Sequence, residues 1–314
     1  MKVLSLSTAI LSAFVASKAR ASSLSTNAAD NDYSTFTLIE SLGAVVKELK
    51  IEPKCTQSFS GSMTNVAFTV QPTDDSQTSI YSNPAGLVSL DYDGGDKKLK
   101  LKYTSAALST VHPSAGVLIK VPRTQLQEIK VGYQTSTTVL NGFGSQFKEA
   151  KAEDQAVLYL TVDSPTKLEI NSDNQARITA KVTGTPSSLE VDAEGQSTLA
   201  IQGAITKAEA EDQATLEIEG GSTLAYGKAK DMSRVVVDTA IAGGCSKVVT
   251  SSMATCTTKS LSLDSNPAGD AMASGTVQMS CSALDDEDQM KEQARLYLRQ
   301  HNPLVNPAGE STVA

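Results

Sequence analysis

The chain has 314 residues with 27 lysines and arginines against 35 acids, a formal charge of −8, and 40% hydrophobic residues with no tryptophan. An acidic balance of this size argues against nucleic acid or an anionic membrane surface as partner, and is compatible with cations or basic surfaces. The length suits one large or two ordinary domains, with one continuous body as the expectation for a repeat protein.

Residues 1–21 read as a secretory signal: Lys2, an apolar run from Val3 to Ala16, then small residues at Ala19 and Ala21, with cleavage expected after Ala21. The run is too short and too often broken by Ser5, Ser7, Thr8 and Ser12 for a membrane anchor. Removing it takes away Lys2, Lys18 and Arg20 and no acid, so the mature charge becomes −11. No later stretch is long and apolar enough for a helical span, which makes a secreted, extracellular protein the expectation. The alternative is that the Ser- and Ala-rich, acid-free segment from Ser17 to Ala29 acts as an organelle-directing extension after the signal. No Asn-x-Ser/Thr site is present.

Residues 22–57 form an N-terminal segment, polar at first. From 35 to 50 the apolar positions Leu38, Leu42, Val45, Val46 and Leu49 follow helical spacing and predict a short helix, with a strand from Phe36 to Ile39 as the alternative. Residues 58–125 form a β entry region. Strands are expected at 65–71, 77–82, 86–92 and 97–103, joined as antiparallel hairpins, with a further strand at 116–122. In Leu99-Lys100-Leu101-Lys102 the alternation puts leucines on a buried face and lysines in water. The tetrapeptide Asn-Pro-Ala-Gly, starting at Asn83, Asn266 and Asn306, is a tight turn by its chemistry, since proline presets φ and glycine closes the turn.

Between residues 129 and 220 glutamine recurs at Gln134, Gln155, Gln175, Gln196 and Gln213, at intervals of 21, 20, 21 and 17 residues. Such a period means stacked coils. Five residues before each glutamine stand Ile129, Ala150, Ile170, Val191 and Ala208. Three after stand Thr137, Leu158, Ile178, Leu199 and Leu216, and five after Val139, Leu160, Ala180, Ile201 and Ile218. Two period-2 strands therefore flank a polar corner in every repeat. One coil cannot bury such a face alone, whereas stacked coils can. The fold expected is mainly β: a β-solenoid of parallel stacked coils over residues 126–282, preceded by antiparallel hairpins, with short terminal helices. The glutamine column is read as a ladder of side-chain amides.

Further strands at 233–238, 247–250, 257–264 and 276–282 are expected in part to close the open end of the stack. Residues 283–314 carry an acidic amphipathic helix, 285–300, with Met290, Ala294, Tyr297 and Leu298 on one face, and a tail. Four cysteines behind an export signal suggest two disulfides. Cys245 with Cys256 across a short polar loop is favoured, leaving Cys55 with Cys281, and a zinc site is the weaker alternative.

The outward positions of the first strand of each coil read Glu128, Lys130, Gly132; Glu149, Lys151, Glu153; Glu169, Asn171, Asp173; Glu190, Asp192, Glu194; Lys207, Glu209, Glu211. Coils lie ~4.8 Å apart, so stacked like charges repel by roughly 1 kcal/mol per pair in water. A cation or a basic partner surface would relieve this. Glu169, Asp173, Glu190, Asp192, Glu194, Glu209 and Glu211 are thus the candidate binding face, with calcium as the candidate ion because hard cations take carboxylate oxygens. A solvated face that keeps sheets apart is the plainer reading, and no calcium-loop motif is present. No catalytic residue is assigned. A polysaccharide-acting parallel β-helix enzyme is disfavoured by the scarcity of aromatic platforms and the lack of nucleophile and metalloprotease motifs.

From about residue 58 to 247 the chain resembles the family called "putative auto-transporter adhesin, head GIN domain". The resemblance rests on a strand pair like 66–71 with 77–82, a strand, Gly-rich turn and Leu-x-Leu strand over 87–103, and Gly116-Val117-Leu118-Ile119-Lys120-Val121-Pro122 before the first coil. Coils such as Leu189-Glu190-Val191 through Gly195-Gln196-Ser197-Thr198-Leu199 follow. The family usually has Gly-Ala-Ser at the coil corner, where this chain has mostly acid-x-Gln. The resemblance implies a secreted or cell-surface, adhesin-like, non-enzymatic solenoid binding a cell-surface or matrix partner, with a structural extracellular layer protein as the alternative.

Overall fold

The computed structural model describes residues 33–55, 59–64, 66–104, 115–261 and 276–281, with side chains for 33–52, 66–104 and 115–261. The signal segment and the helix expected at 285–300 lie outside the described residues, as do the second and third Asn-Pro-Ala-Gly turns.

Alternation of apolar and polar residues produces two facing parallel sheets. From residue 128 onward the chain adds one strand to each sheet per coil. The first-sheet strands are β9 (Glu128–Val131), β11 (Glu149–Ala152), β13 (Lys167–Ser172), β15 (Ser188–Ala193), β17 (Ala204–Ala210), β19 (Thr223–Ala229) and β21 (Val248–Thr250). Their partners in the second sheet are β10 (Ser136–Val139), β12 (Val157–Asp163), β14 (Arg177–Thr183), β16 (Thr198–Gln202), β18 (Thr215–Ile218), β20 (Arg234–Asp238) and β22 (Thr255–Lys259). Neighbouring coils pair in register: Ala150 opposite Ile170, Ile170 opposite Val191, Val191 opposite Ala208. The inward columns are buried together, including Ile129, Ile170, Leu158, Ile178, Leu199 and Leu216. Stacking removes about 25 cal/mol of apolar exposure cost per Å², which no single coil could achieve.

From β11 onward the coils turn through the same four-residue corner. The amide of Ala156 donates to Glu153 O at 3.2 Å, Ala176 to Asp173 at 3.1 Å, Ser197 to Glu194 at 3.2 Å and Ala214 to Glu211 at 3.1 Å. The second residue of each corner is left-handed: Asp154, Asn174, Gly195, Asp212, Asp231 and Ser252 have φ of 59, 59, 67, 59, 57 and 58°. Asn, Asp and Gly tolerate this conformation best. At Gly195 space is also short, since a Cβ would meet the Asn174 backbone at 3.0 Å. The glutamine follows this residue. Gln134 Nε2 donates to Gln155 Oε1 at 2.7 Å, and Gln155 Nε2 to Gln175 Oε1 at 3.1 Å, so the amide ladder forms over these three coils.

Three expectations are corrected. The helix expected at 35–50 is instead strand β1 (Thr37–Leu42) and the start of strand β2 (Glu48–Cys55). Leu49 and Ile51 are buried between coils while Lys50 points out, a period-2 pattern that the helical spacing upstream masked. The entry region is not a set of hairpins ahead of the stack. Strands β4 (Ala67–Thr73) and β8 (Gly116–Pro122) pair parallel in the second sheet, and β2 and β7 (Lys98–Tyr103) in the first. Strand β5 (Thr78–Asn83) pairs antiparallel with β8, and β6 (Val88–Asp93) forms the expected hairpin with β7. The coil of β2 and β4 lies between β7 with β8 on one side and β9 with β10 on the other. Finally, β20, β21 and β22 continue the parallel stack instead of closing it. Strand β23 (Thr276–Cys281) pairs antiparallel with β3 (Phe59–Thr64), away from that end.

Cys245 and Cys256 form a disulfide with a Cα separation of 5.7 Å, joining the loop before β21 to β22. The side chains of Cys55 and Cys281, the second expected pair, lie outside the described residues. The loop 140–148 closes its coil from the other corner with Phe143 and Phe147, both buried, their rings 6.2 Å apart.

Candidate functional site: the outer face of the first sheet

Register places the outward side chains of the first sheet in three columns. Glu128, Glu149, Glu169, Glu190 and Lys207 stack in one; Lys130, Lys151, Asn171, Asp192 and Glu209 in the next. The amides of Asp173, Glu194 and Glu211 donate to Ala152, Ser172 and Ala193 of the preceding coils, which continues the ladder and stacks these three acids as the third. All seven acids proposed from the sequence therefore share one face.

The face is banded. Over β2, β9 and β11 the carboxylates are answered by lysines: Lys98 to Glu48 at 2.6 Å, Lys50 to Glu52 at 2.6 Å and Lys151 to Glu153 at 2.5 Å. Lys130 sits among Glu48, Glu128 and Glu149 at 3.6, 3.8 and 3.9 Å. Burial would push the Glu48 carboxyl up, but the Lys98 hydrogen bond and the charge of Lys130 hold it below the ordinary range. Glu149 goes the other way: burial and the neighbouring Glu128 and Glu169 raise it despite Lys130.

Over β13 and β15 no lysine faces the acids at the central position. Glu169 accepts from Asn171 Nδ2 at 2.9 Å, Glu190 from Ser188 Oγ at 3.0 Å, and Asp173 from the Asn174 amide at 2.6 Å. Asp192, at the centre, has one carboxylate oxygen buried without a hydrogen bond. Partial burial, with Glu194, Glu209 and Glu211 around it, pushes its carboxyl up to about 6. Beyond it Lys207 pairs with Glu209 at 3.3 Å and Lys230 with Glu211, so the last two proposed acids are neutralised. Lys230, one coil beyond the last glutamine, closes the band and was missed because the glutamine column ends at Gln213.

The effective acidic site thus narrows to Glu169, Asp173, Glu190, Asp192 and Glu194. No group of three or more acids, histidines or cysteines poised to hold a metal ion occurs among the described residues, so the calcium expectation finds no preformed cage there. Beside the first column lies an open groove of about 330 Å³, lined by Lys148, Thr166, Lys167, Leu168, Glu169 and Glu190. No helix among the described residues is long and apolar enough to cross a membrane.

Fold and face together define a mainly β protein built on a two-sheet parallel β-solenoid with a charged outer sheet. No family model matches the chain, and no curated protein matches it. Solved structures do. A "putative adhesin" from Parabacteroides distasonis is 15% identical with a TM-score of 0.43, covering 72% of this chain and 94% of that one. Another from Parabacteroides merdae is 12% identical with a TM-score of 0.38, covering 72% and 95%. A "putative cell adhesion protein" from Clostridium sporogenes is 9% identical with a TM-score of 0.24, covering 64% and 97%.

Proposed function

We propose that this chain is a secreted, non-enzymatic, adhesin-like solenoid that holds a basic surface or matrix partner against the acidic band centred on Asp192. The observation that carries the reading is the break in lysine compensation. On the same sheet Glu48, Glu52, Glu128, Glu149 and Glu153 upstream and Glu209 and Glu211 downstream are ion-paired within the chain, whereas Asp192 and Glu194 have no ion pair among the described residues. A band left uncompensated on a rigid sheet presents charges at the ~4.8 Å spacing of the coils, and many weak contacts to a repetitive basic partner then combine by effective concentration. A cation assists at most as a loosely held, hydrated counterion. Export is supported by the Cys245–Cys256 disulfide, which suits an oxidising compartment.

The test is binding of the mature protein to immobilised polylysine and to a neutral polymer, with calcium titration in parallel, for wild type and Asp173→Asn/Asp192→Asn/Glu194→Gln. Salt-sensitive capture by polylysine that the triple variant loses at least tenfold supports the reading. Equal capture of both proteins sinks it, and saturable calcium heat in wild type alone would restore the ion as the primary ligand.

A further inference from the structure

The two ends of the stack differ. At one end β5 and β6 run antiparallel to the coils and interrupt the parallel ladder, with β1 paired antiparallel outside β5. At the other, β21 and β22 are the outermost strands of their sheets among the described residues, with one edge of each unpaired. An open edge is a template for another strand unless charge or a bulge protects it. Here protection is thin: β22 is Thr-Cys-Thr-Thr-Lys and β21 is Val-Val-Thr, residues that favour strands.

Exposed apolar side chains gather at the same end. Of the six large hydrophobic side chains exposed among the described residues, Tyr226, Met232, Val249 and Met253 belong to the last two coils, at 42, 53, 56 and 71% exposure. Met232 and Met253 take the corner position that glutamine occupies in the earlier coils. Acidic charge disappears there as well. From Thr239 to Lys259 the sequence has two lysines and no acid, on a chain whose formal charge is −8. Two acidic molecules that repel over the rest of their surfaces can meet there without like acids opposed.

The chain itself leads away from this end. Thr276 pairs with Thr64 in β3, close in sequence to β4, and β4 lies seven strand spacings from β22, or ~34 Å.

We propose that this end is the contact between two copies of the chain, joined about a two-fold axis with the β22 edges antiparallel and the side chains of Val249 and Met253 covered. A closed two-fold contact uses the same patch on both copies, and it leaves the antiparallel ends outermost, so growth stops at the dimer. The Cys245–Cys256 bridge holds the edge strand in place for this pairing.

The experiment is sedimentation velocity of the mature, oxidised chain over ~1–100 µM, a range that brackets a micromolar dissociation constant. It is run on wild type, on Val249→Lys/Met253→Lys and on Leu38→Lys at the opposite end, with circular dichroism as the folding control. A species of twice the chain mass in wild type and Leu38→Lys, with dissociation at least tenfold weaker in the double variant, is the expected result. Should the double variant be misfolded, Thr257→Lys, at an exposed position of β22, carries the same expectation. A monomer throughout overturns the proposal, and slow amide exchange in β22 of that monomer would show the chain's own residues on the edge. Association undiminished in the folded variants overturns it too, since the contact would then lie elsewhere.

Discussion

Coils β9–β11 and β13–β15 share one backbone, one register and one inward pattern, yet they face solvent with opposite electrostatics. In the first pair of strands the middle outward residue is Lys130 or Lys151; in the second it is Asn171 or Asp192. One column of the sequence thus decides whether a band of the sheet is ion-paired within the chain or left uncompensated, while the buried columns, which hold the fold, are the same in kind. A solenoid separates the two tasks because alternate residues serve them independently.

The strongest way to break the contrast is Lys130→Asp. It replaces three attractions, to Glu48, Glu128 and Glu149, with three repulsions, and should lower unfolding free energy by about 2 kcal/mol, discounted for the solvent exposure of these groups. Urea denaturation at low salt measures it, and the loss should shrink as salt rises. The converse, Asp192→Lys, gives the second band the pattern of the first and should raise stability by about 1 kcal/mol while weakening polylysine capture.

A pH series sharpens the contrast. Folded Asp192 takes up its proton near pH 6, whereas an unfolded aspartate does so near ~3.9, so the folded state holds more protons between those values. Its contribution to stability is therefore full below about pH 4 and lost as pH rises through about 6. Asp192→Asn should remove that slope and be more stable than wild type at pH 7 by about 1 kcal/mol, the half-exposed site being screened by solvent. A denaturation midpoint that falls equally between pH 4 and 6 in both proteins would show that other acids carry the slope. The smallest expected effect is in the corners: Gln155→Ala breaks two ladder bonds and should cost about 0.5–1 kcal/mol, whereas Gln196→Ala, outside the Gln134–Gln155–Gln175 ladder, should cost almost nothing.

Much of this was legible because burial acts on alternate residues. The columns through Ile129 and Leu158 announce two strands and a corner per coil, and the short polar loop between Cys245 and Cys256 announces their bridge. What stayed hidden has physical reasons. Lateral pairing of β2 with β7 and β9 joins segments some 50 and 80 residues apart, and distant pairing leaves no period. One sign was present: Glu48-Leu49-Lys50-Ile51, Lys98-Leu99-Lys100-Leu101 and Glu128-Ile129-Lys130-Val131 share a charge, apolar, lysine, apolar pattern, and they are the three strands that lie side by side. That the last strands continue the coils and do not close them escaped because methionine replaces glutamine at their corners. The acids were found, but not which of them lysines would silence, because Lys230 acts from a neighbouring strand 19 residues away.

The interleaved coil of β2 and β4 has a consequence for how the chain acquires its structure. From β11 onward each coil docks on the one before it, so assembly can zip forward locally. The first-made strands have no such option. β2 waits for β7 and β9, and β4 for β8 and β10, so these early segments stay unsatisfied until residue 139 is available. Closing loops of that length makes this region the slow, high-contact-order step. A chain released as it is made would therefore hold its first strands open until this knot of non-local pairs closes, and only then template the regular coils behind it.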